Sequence, residues 1–411
     1  MRISTYDFQR QAVQAMQDNQ SRLARTQLQV ATGRRILTPS DDPSGAKRTL
    51  DLKQAIEIQK QYQRNADAAL NRLSLEESTL GSVTEGLQRI RELAVQAGNS
   101  TLLPQDRAAI AAEVEARLDE LLALANVKDA QGEFLFAGYL VNQQPFSRAV
   151  VAGRTTYTYA GDGNERRLQV GTNLRISSAD SGEDVFRAIP NGNGTFAARQ
   201  AVNGTGTPTN TGTGVIDAGT VTNPAALTGE TYTITFSGSG TTLTYDVVGS
   251  VSGLLVDDAV FASGAAMALP GLSVSIRGTP AAGDGFTVAP SSDQDLLQTV
   301  QNLVDALRAP GTGPAPGAHF QNEQGRALTD LDRALDHVGE VRAGIGARLN
   351  EVEAQQNIAA AFELFSRQSL SEVEDLDYAE ATGRLQLQLT VLQASQQAFV
   401  KVQGLTLFNY L

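Results

Sequence analysis

The sequence predicts an α+β protein: a discontinuous bundle or coiled coil of long helices, made from both chain ends, with a β-rich module inserted between its halves. Three observations predict it. Residues 1 to about 140 are rich in Ala, Gln, Leu, Arg and Glu, which favour helix, and nearly lack Gly and Pro. From about 141 to 290 the chain fills with Gly, Thr, Ser, Val and Asn, and alternating runs such as TYTITF at 231–236 and LSVSI at 272–276 read as half-buried strands between Gly turns. After about 291 the helical composition returns and lasts to Leu411.

The first helical segment is basic and weakly apolar. Arg10, Arg22, Arg25, Arg34, Arg35, Lys47 and Arg48 outnumber the acids of the first fifty residues, as a solvated face does, or as a segment meeting an acidic partner does. Met16, Leu23 and Val30 fall seven apart, with Ala12, Asn19 and Thr26 as companions. At the other end Tyr378, Leu385, Leu392 and Phe399 fall seven apart, with Ala381, Gln388, Ser395 and Val402 beside them. These seams are half polar. Such a seam buries too little apolar surface to offset the ordering of an isolated helix pair, so both ends are expected to be mobile alone and ordered among neighbours.

Pro39-Ser40-Asp41-Asp42-Pro43 marks the start of a second helix, because a carboxylate caps free N–H groups and Pro43 suits the first turn. From Leu52 to Ala97 one heptad position reads Leu52, Gln59, Ala66, Leu73, Leu80, Leu87, Ala94 and its companion Ala55, Tyr62, Ala69, Glu76, Val83, Ile90, Ala97. Only Gln59 and Glu76 interrupt the seam, and Gly98-Asn99 ends it. At about 1.5 Å per residue this helix is a rod of roughly 70 Å, which requires other long helices beside it. A third helix runs from Pro104 to about Lys128 with Ile110, Val114, Leu118, Leu121 and Ala125 on one face, and further helices are expected after about Asp293 and from about Asn322 to Phe365. Gly161-Asp162-Gly163-Asn164 reads as a hairpin turn, and Asp180-Ser181-Gly182-Glu183-Asp184 as a plain turn too short for a calcium loop.

The domain plan follows. Segments 1–40 and 370–411 are terminal helices of an inner assembly core, 41–140 and 291–369 a long-helix body, and 141–290 an inserted β-rich module in which 191–270 is a variable insertion.

Composition excludes several functions. The chain has 411 residues, no cysteine, two histidines and a net charge of −12. Thiolate metal sites and disulfides are ruled out, and the acidic balance argues against nucleic acid and anionic membranes as partners. No apolar run approaches the roughly 18–20 residues that span a bilayer, and the polar opening Met1-Arg2-Ile3-Ser4 has no secretory h-region, so a soluble protein without a cleaved signal is expected. His319 sits in a Pro/Gly-rich stretch and His337 on a helix, which leaves no triad, no multi-His metal site, no cofactor and no enzyme. Asn193-Gly194-Thr195 and Asn203-Gly204-Thr205 match the glycosylation sequon, as a Gly/Thr-rich stretch does by chance.

The stretch from Thr32 to Ala46, Thr-Gly-Arg-Arg-Ile-Leu-Thr-Pro-Ser-Asp-Asp-Pro-Ser-Gly-Ala, resembles the N-terminal signature of the flagellin superfamily. Pro43, where flagellins usually have Ala, is more similar to its hook-associated protein 3 (FlgL-type) branch. Gln131-Gly132-Glu133-Phe134-Leu135-Phe136-Ala137-Gly138, 280–288 and the end from Asp377 to Leu411 are similar to the same branch. The resemblance covers roughly 1–190 and 270–411. It implies a flagellar structural subunit, exported unfolded by the flagellar type III route. It also implies a chaperone of the FlgN type at the C-terminal helix, and assembly as a ring between hook-associated protein 1 and flagellin. Met16, Leu23, Val30, Tyr378, Leu385, Leu392, Phe399 and Val402 are then the assembly seam, and Asp41, Asp42, Pro43 and Gly138 structural caps and turns. The rivals are a flagellin-type filament subunit, and an adhesin or carbohydrate-binding module on a coiled-coil stalk.

Overall fold

The computed structural model describes residues 5–99, 102–151, 153–203, 207–238, 243–309 and 314–404. Seven helices lie among them: α1 (Thr5–Thr32), α2 (Pro43–Ala97), α3 (Pro104–Ala125), α4 (Gly182–Phe186), α5 (Leu296–Arg308), α6 (Pro314–Glu374) and α7 (Tyr378–Gly404). All strands fall between Phe146 and Gln294, so the order is helical, β-rich, helical, as composition predicts. The chain forms two compact units, one from Met1–Asn65 with Ala354–Leu411 and one from Ala66–Glu353.

The larger unit has two cores. The first is helical: Leu73, Leu80, Leu87 and Ala94 of α2, Ile110, Val114, Leu118 and Leu121 of α3, Val300 and Val304 of α5, and Leu331, Val338 and Ile345 of α6 are all buried. Every residue expected on the inner face of α3 is among the buried ones. Gly98 ends α2 where a side chain would strike Gln324, whose amide donates to the Ala94 carbonyl at 2.7 Å. α6 begins before and ends after the expected 322–365, because nothing from 366 to 374 breaks a helix and the chain turns only at Asp375-Leu376-Asp377.

The second core belongs to the β-rich part. An antiparallel five-stranded sheet runs in the order Gly253–Val260, Thr244–Gly249, Tyr232–Ser237, Gly285–Pro290, Phe196–Gln200. A smaller sheet pairs Ala266–Leu269 with Leu272–Arg277, whose further partners are Val215–Ile216 and Thr220–Val221. Phe196, Ile234, Phe236, Val274, Ile276 and Phe286 fill the space between them. Asp284 ties the loops at one end: its carboxylate accepts N–H groups of Thr211 at 2.6 Å, Gly212 at 3.0 Å and Ala281 at 2.8 Å.

Two turn readings are corrected. Gly161–Asn164 does not close a hairpin, because Arg154–Tyr159 pairs back onto Phe146–Val151 and Arg167–Gln169 pairs onward with Arg175–Ser177. The segment instead makes an Asx turn, with Asp162 Oδ1 accepting from Asn164 N at 3.0 Å and reaching back to Tyr139 N at 3.0 Å. The Asp180–Asp184 stretch is no plain turn either: Ser181 caps α4 by accepting from Asp184 N at 3.1 Å. Phe186 on α4 packs edge-on against Phe136 and Phe146, at 5.1 and 5.4 Å between ring centroids.

Candidate functional site

The smaller unit holds the terminal helices. α1 and α7 pack together. On α1, Leu23 and Thr26 are buried, and Met16 and Val30 half-buried beside Ala12 and Asn19. On α7, Ala381 is buried and Leu385, Gln388, Leu392, Ser395 and Phe399 are half-buried. Tyr378, at the first turn of α7, is exposed, and its ring lies instead by Gly33. The Val402 side chain and residues 405–411 lie outside the described residues.

Both helices hang from one clasp. The 33–42 loop meets the break between α6 and α7: Arg35 N donates to Glu374 O at 2.7 Å and Leu376 N to Gly33 O at 2.9 Å. Gly33 has φ +70°, a left-handed conformation at the end of α1 that a side chain tolerates poorly. The buried Glu374 carboxylate receives Arg34 and Lys53, each at 2.8 Å. A carboxylate removed from water this far requires such compensation.

The two adjacent acids of the loop divide the work. Asp42 is the N-cap of α2, its Oδ1 accepting from Gly45 N at 2.9 Å and Ser44 Oγ at 2.8 Å, with Pro43 as the first helical residue. The Gly45 N–H, followed by the Ser44 hydroxyl, holds the Asp42 carboxyl below the usual range. Asp41 ties the loop itself, accepting Leu37 N and Thr38 N at 3.0 Å each and pairing with Arg25 of α1. In the larger unit Gly138, at φ +67°, leaves room for Asp162, which a side chain there would strike.

What the seams leave uncovered is the surface property of this unit. Leu387, Leu389, Val391 and Val400 of α7 are exposed, as are Val13 and Leu28 of α1. Sequence reasoning missed a further row on α6, where Ile358, Phe362 and Phe365 are exposed, and Leu50 and Ile58 on α2. The signal was present: Ile358 and Phe365 repeat at seven residues, one step out of phase with the buried Ala359 and Ser366. No group of three His, Cys, Asp or Glu with metal-holding geometry occurs among the described residues. No described helix is long and apolar enough to cross a membrane.

Helices from the two chain ends, joined at one clasp with apolar rows left open, define a flagellin-type subunit. Residues 3–140 match the bacterial flagellin N-terminal helical region and 328–411 the bacterial flagellin C-terminal helical region. The sequence is 26% identical to flagellar hook-associated protein 3 of Escherichia coli (strain K12), over 100% of this chain and 99% of that one. It is 34% identical to the flagellar junction protein FlgL from Legionella pneumophila, with TM-score 0.69 over 80% of this chain and 99% of that chain. It is 28% identical to Xanthomonas campestris FlgL, with TM-score 0.70 over 78% of this chain and 99% of that chain. The chain belongs to the flagellar hook-associated protein 3 (FlgL) family. It is a structural protein of the flagellum and not an enzyme.

Proposed function

We propose that this chain is the subunit that joins hook to filament, assembling as a ring through its terminal helices between hook-associated protein 1 and the first layer of flagellin. The observation that carries the reading is α7. From Leu385 to Val400 it has no charged residue, and it exposes apolar side chains beyond those facing α1. A helix that carries no charge and leaves apolar side chains in water calls for partners, and α1 covers only one side. Neighbouring copies and junction partners supply the rest, which couples the ordering of the ends to assembly.

In this reading 1–40 and 370–411 form the inner wall, 41–140 and 291–369 the layer around it, and 141–290 the outer module, with 191–270 its variable insertion. Export follows the type III route, a FlgN-type chaperone holds the C-terminal helix beforehand, and neither nucleic acid nor membrane is a partner. The test is deletion of 1–32 or of 378–411. Each truncated protein should stay folded in its larger unit and fail to restore filament attachment in cells lacking the gene, which should carry bare hooks and release flagellin. Truncated proteins that still join filament to hook would overturn the reading.

A further inference from the structure

Beyond the inner seam, the smaller unit carries two exposed faces of opposite character. On α6, Ile358, Phe362 and Phe365 are 61%, 46% and 65% exposed, a row too apolar to be left in water without a partner. Glu372 continues the row one heptad beyond Phe365 and is exposed. On α2, Leu50 and Ile58 are 67% and 41% exposed and are bracketed by exposed Lys47 and Arg64.

The charges divide the same way. Within the smaller unit, residues 1–65 hold eleven Lys and Arg against six Asp and Glu, whereas 354–411 hold three against six. The two segments therefore differ in charge along the sequence, and part of that difference is met inside the copy, where Arg34 and Lys53 of the first reach Glu374 of the second. Several of these charges are satisfied internally, as Lys60 is by Glu57 and Arg367 by Glu363. Asp51 is an acid on the α2 side. Exposed Lys47 and Arg64 nevertheless stand at the two ends of the α2 row, and exposed Glu372 at one end of the α6 row.

Two α2 faces would bring cation to cation in either direction, Lys47 against Lys47 or against Arg64, whereas unlike faces bring Glu372 to one of these cations around a shared apolar centre. We infer that the Ile358–Phe362–Phe365 face of one copy docks on the Lys47–Leu50–Ile58–Arg64 face of a second copy. The contact is heterologous, so it propagates round a closed ring instead of stopping at a dimer. This rests on the proposed ring and specifies which surfaces build it outside the terminal helices.

The absence of cysteine makes the test clean. Full-length Ile58→Cys and Phe362→Cys proteins, co-expressed as the sole copies in cells, would be crosslinked on isolated hooks with a short bis-maleimide. The expected product is a dimer formed only when both variants are present. Dimers from Phe362→Cys alone would show like faces meeting and overturn the inference, as would hooks that carry both proteins at the filament boundary without crosslinking. If the wild-type chain itself were missing from that boundary, the ring reading would fall instead. Charge reversal gives a second measure. Lys47→Glu with Arg64→Glu should cut filament-bearing hooks at least tenfold, and adding Glu372→Lys should restore part of the loss. A triple variant no better than the double variant would count against the docking.

Discussion

The backbone N–H of Asp180 donates to Glu76 Oε1 at 2.9 Å, placing a fully buried carboxyl at the point where α2 meets the start of α4. The Asp180 side chain is in turn paired with Arg348 of α6. One guanidinium thus faces two carboxyls, and no hydrogen bond from the described residues reaches Glu76 Oε2. Burial first, then the Asp180 charge, push the Glu76 carboxyl well above the usual carboxylate range.

A folded-state pKa above the unfolded value, about 4.3, means the native chain holds the extra proton. That contribution is complete below about 4.3 and is lost as pH climbs through the folded value. Melting followed by circular dichroism should therefore show wild type losing stability relative to Glu76→Gln as pH rises above about 4.3. Parallel curves for the two proteins would refute the buried proton. An infrared carboxylic-acid band that persists in wild type above the pH at which ordinary carboxyls ionise, and is missing in Glu76→Gln, is the direct check.

At the clasp, Glu374→Gln removes the anion shared by Arg34 and Lys53. Both cations are about half exposed, which limits the cost to about 1–2 kcal/mol. The loss should appear as faster amide exchange in α1 and α7, with the larger unit unchanged. Equal acceleration in α3 would show that the clasp is not local.

Asp42→Ala should destabilise the N-terminal turn of α2 by uncapping it, and Asp42→Ser or Asn should recover most of the loss. Asp41→Ala acts differently: it frees Leu37 N, Thr38 N and Arg25, so exchange at the loop amides is the sensitive readout. Identical exchange maps for the two variants would contradict the division of labour.

In the β-rich part, Asp284→Ala leaves three loop N–H groups without their acceptor and should destabilise that core by about 2–3 kcal/mol. A separate early melting step, with the helical core intact, is the expected signature. Leu80→Ala, by contrast, opens a cavity in the helical core and should cost about 2–5 kcal/mol in the main transition.

How far the sequence carries can be judged residue by residue. The α2 seam from Ala66 to Ala97 and the inner face of α3 were readable, because helical period alone sets which side chains share a face, and the half-buried Met16, Val30, Leu385 and Leu392 follow the same period. Tyr378 also fits the period. Its exposure follows from standing at the very start of α7, where the clasp and Gly33 fix the chain.

Sequence by itself determined the order of elements, the cap at Asp42-Pro43 and the absence of thiol and triad chemistry, all of which depend on local propensity and residue type. Only the tertiary structure decided that Glu374 gathers Arg34 and Lys53, that Asp284 knots loops some 70 residues away, and that Glu76 is buried beside Asp180 instead of being a surface break in its seam. Those partners are set by how distant segments pack, and no local pattern encodes which charge another will meet.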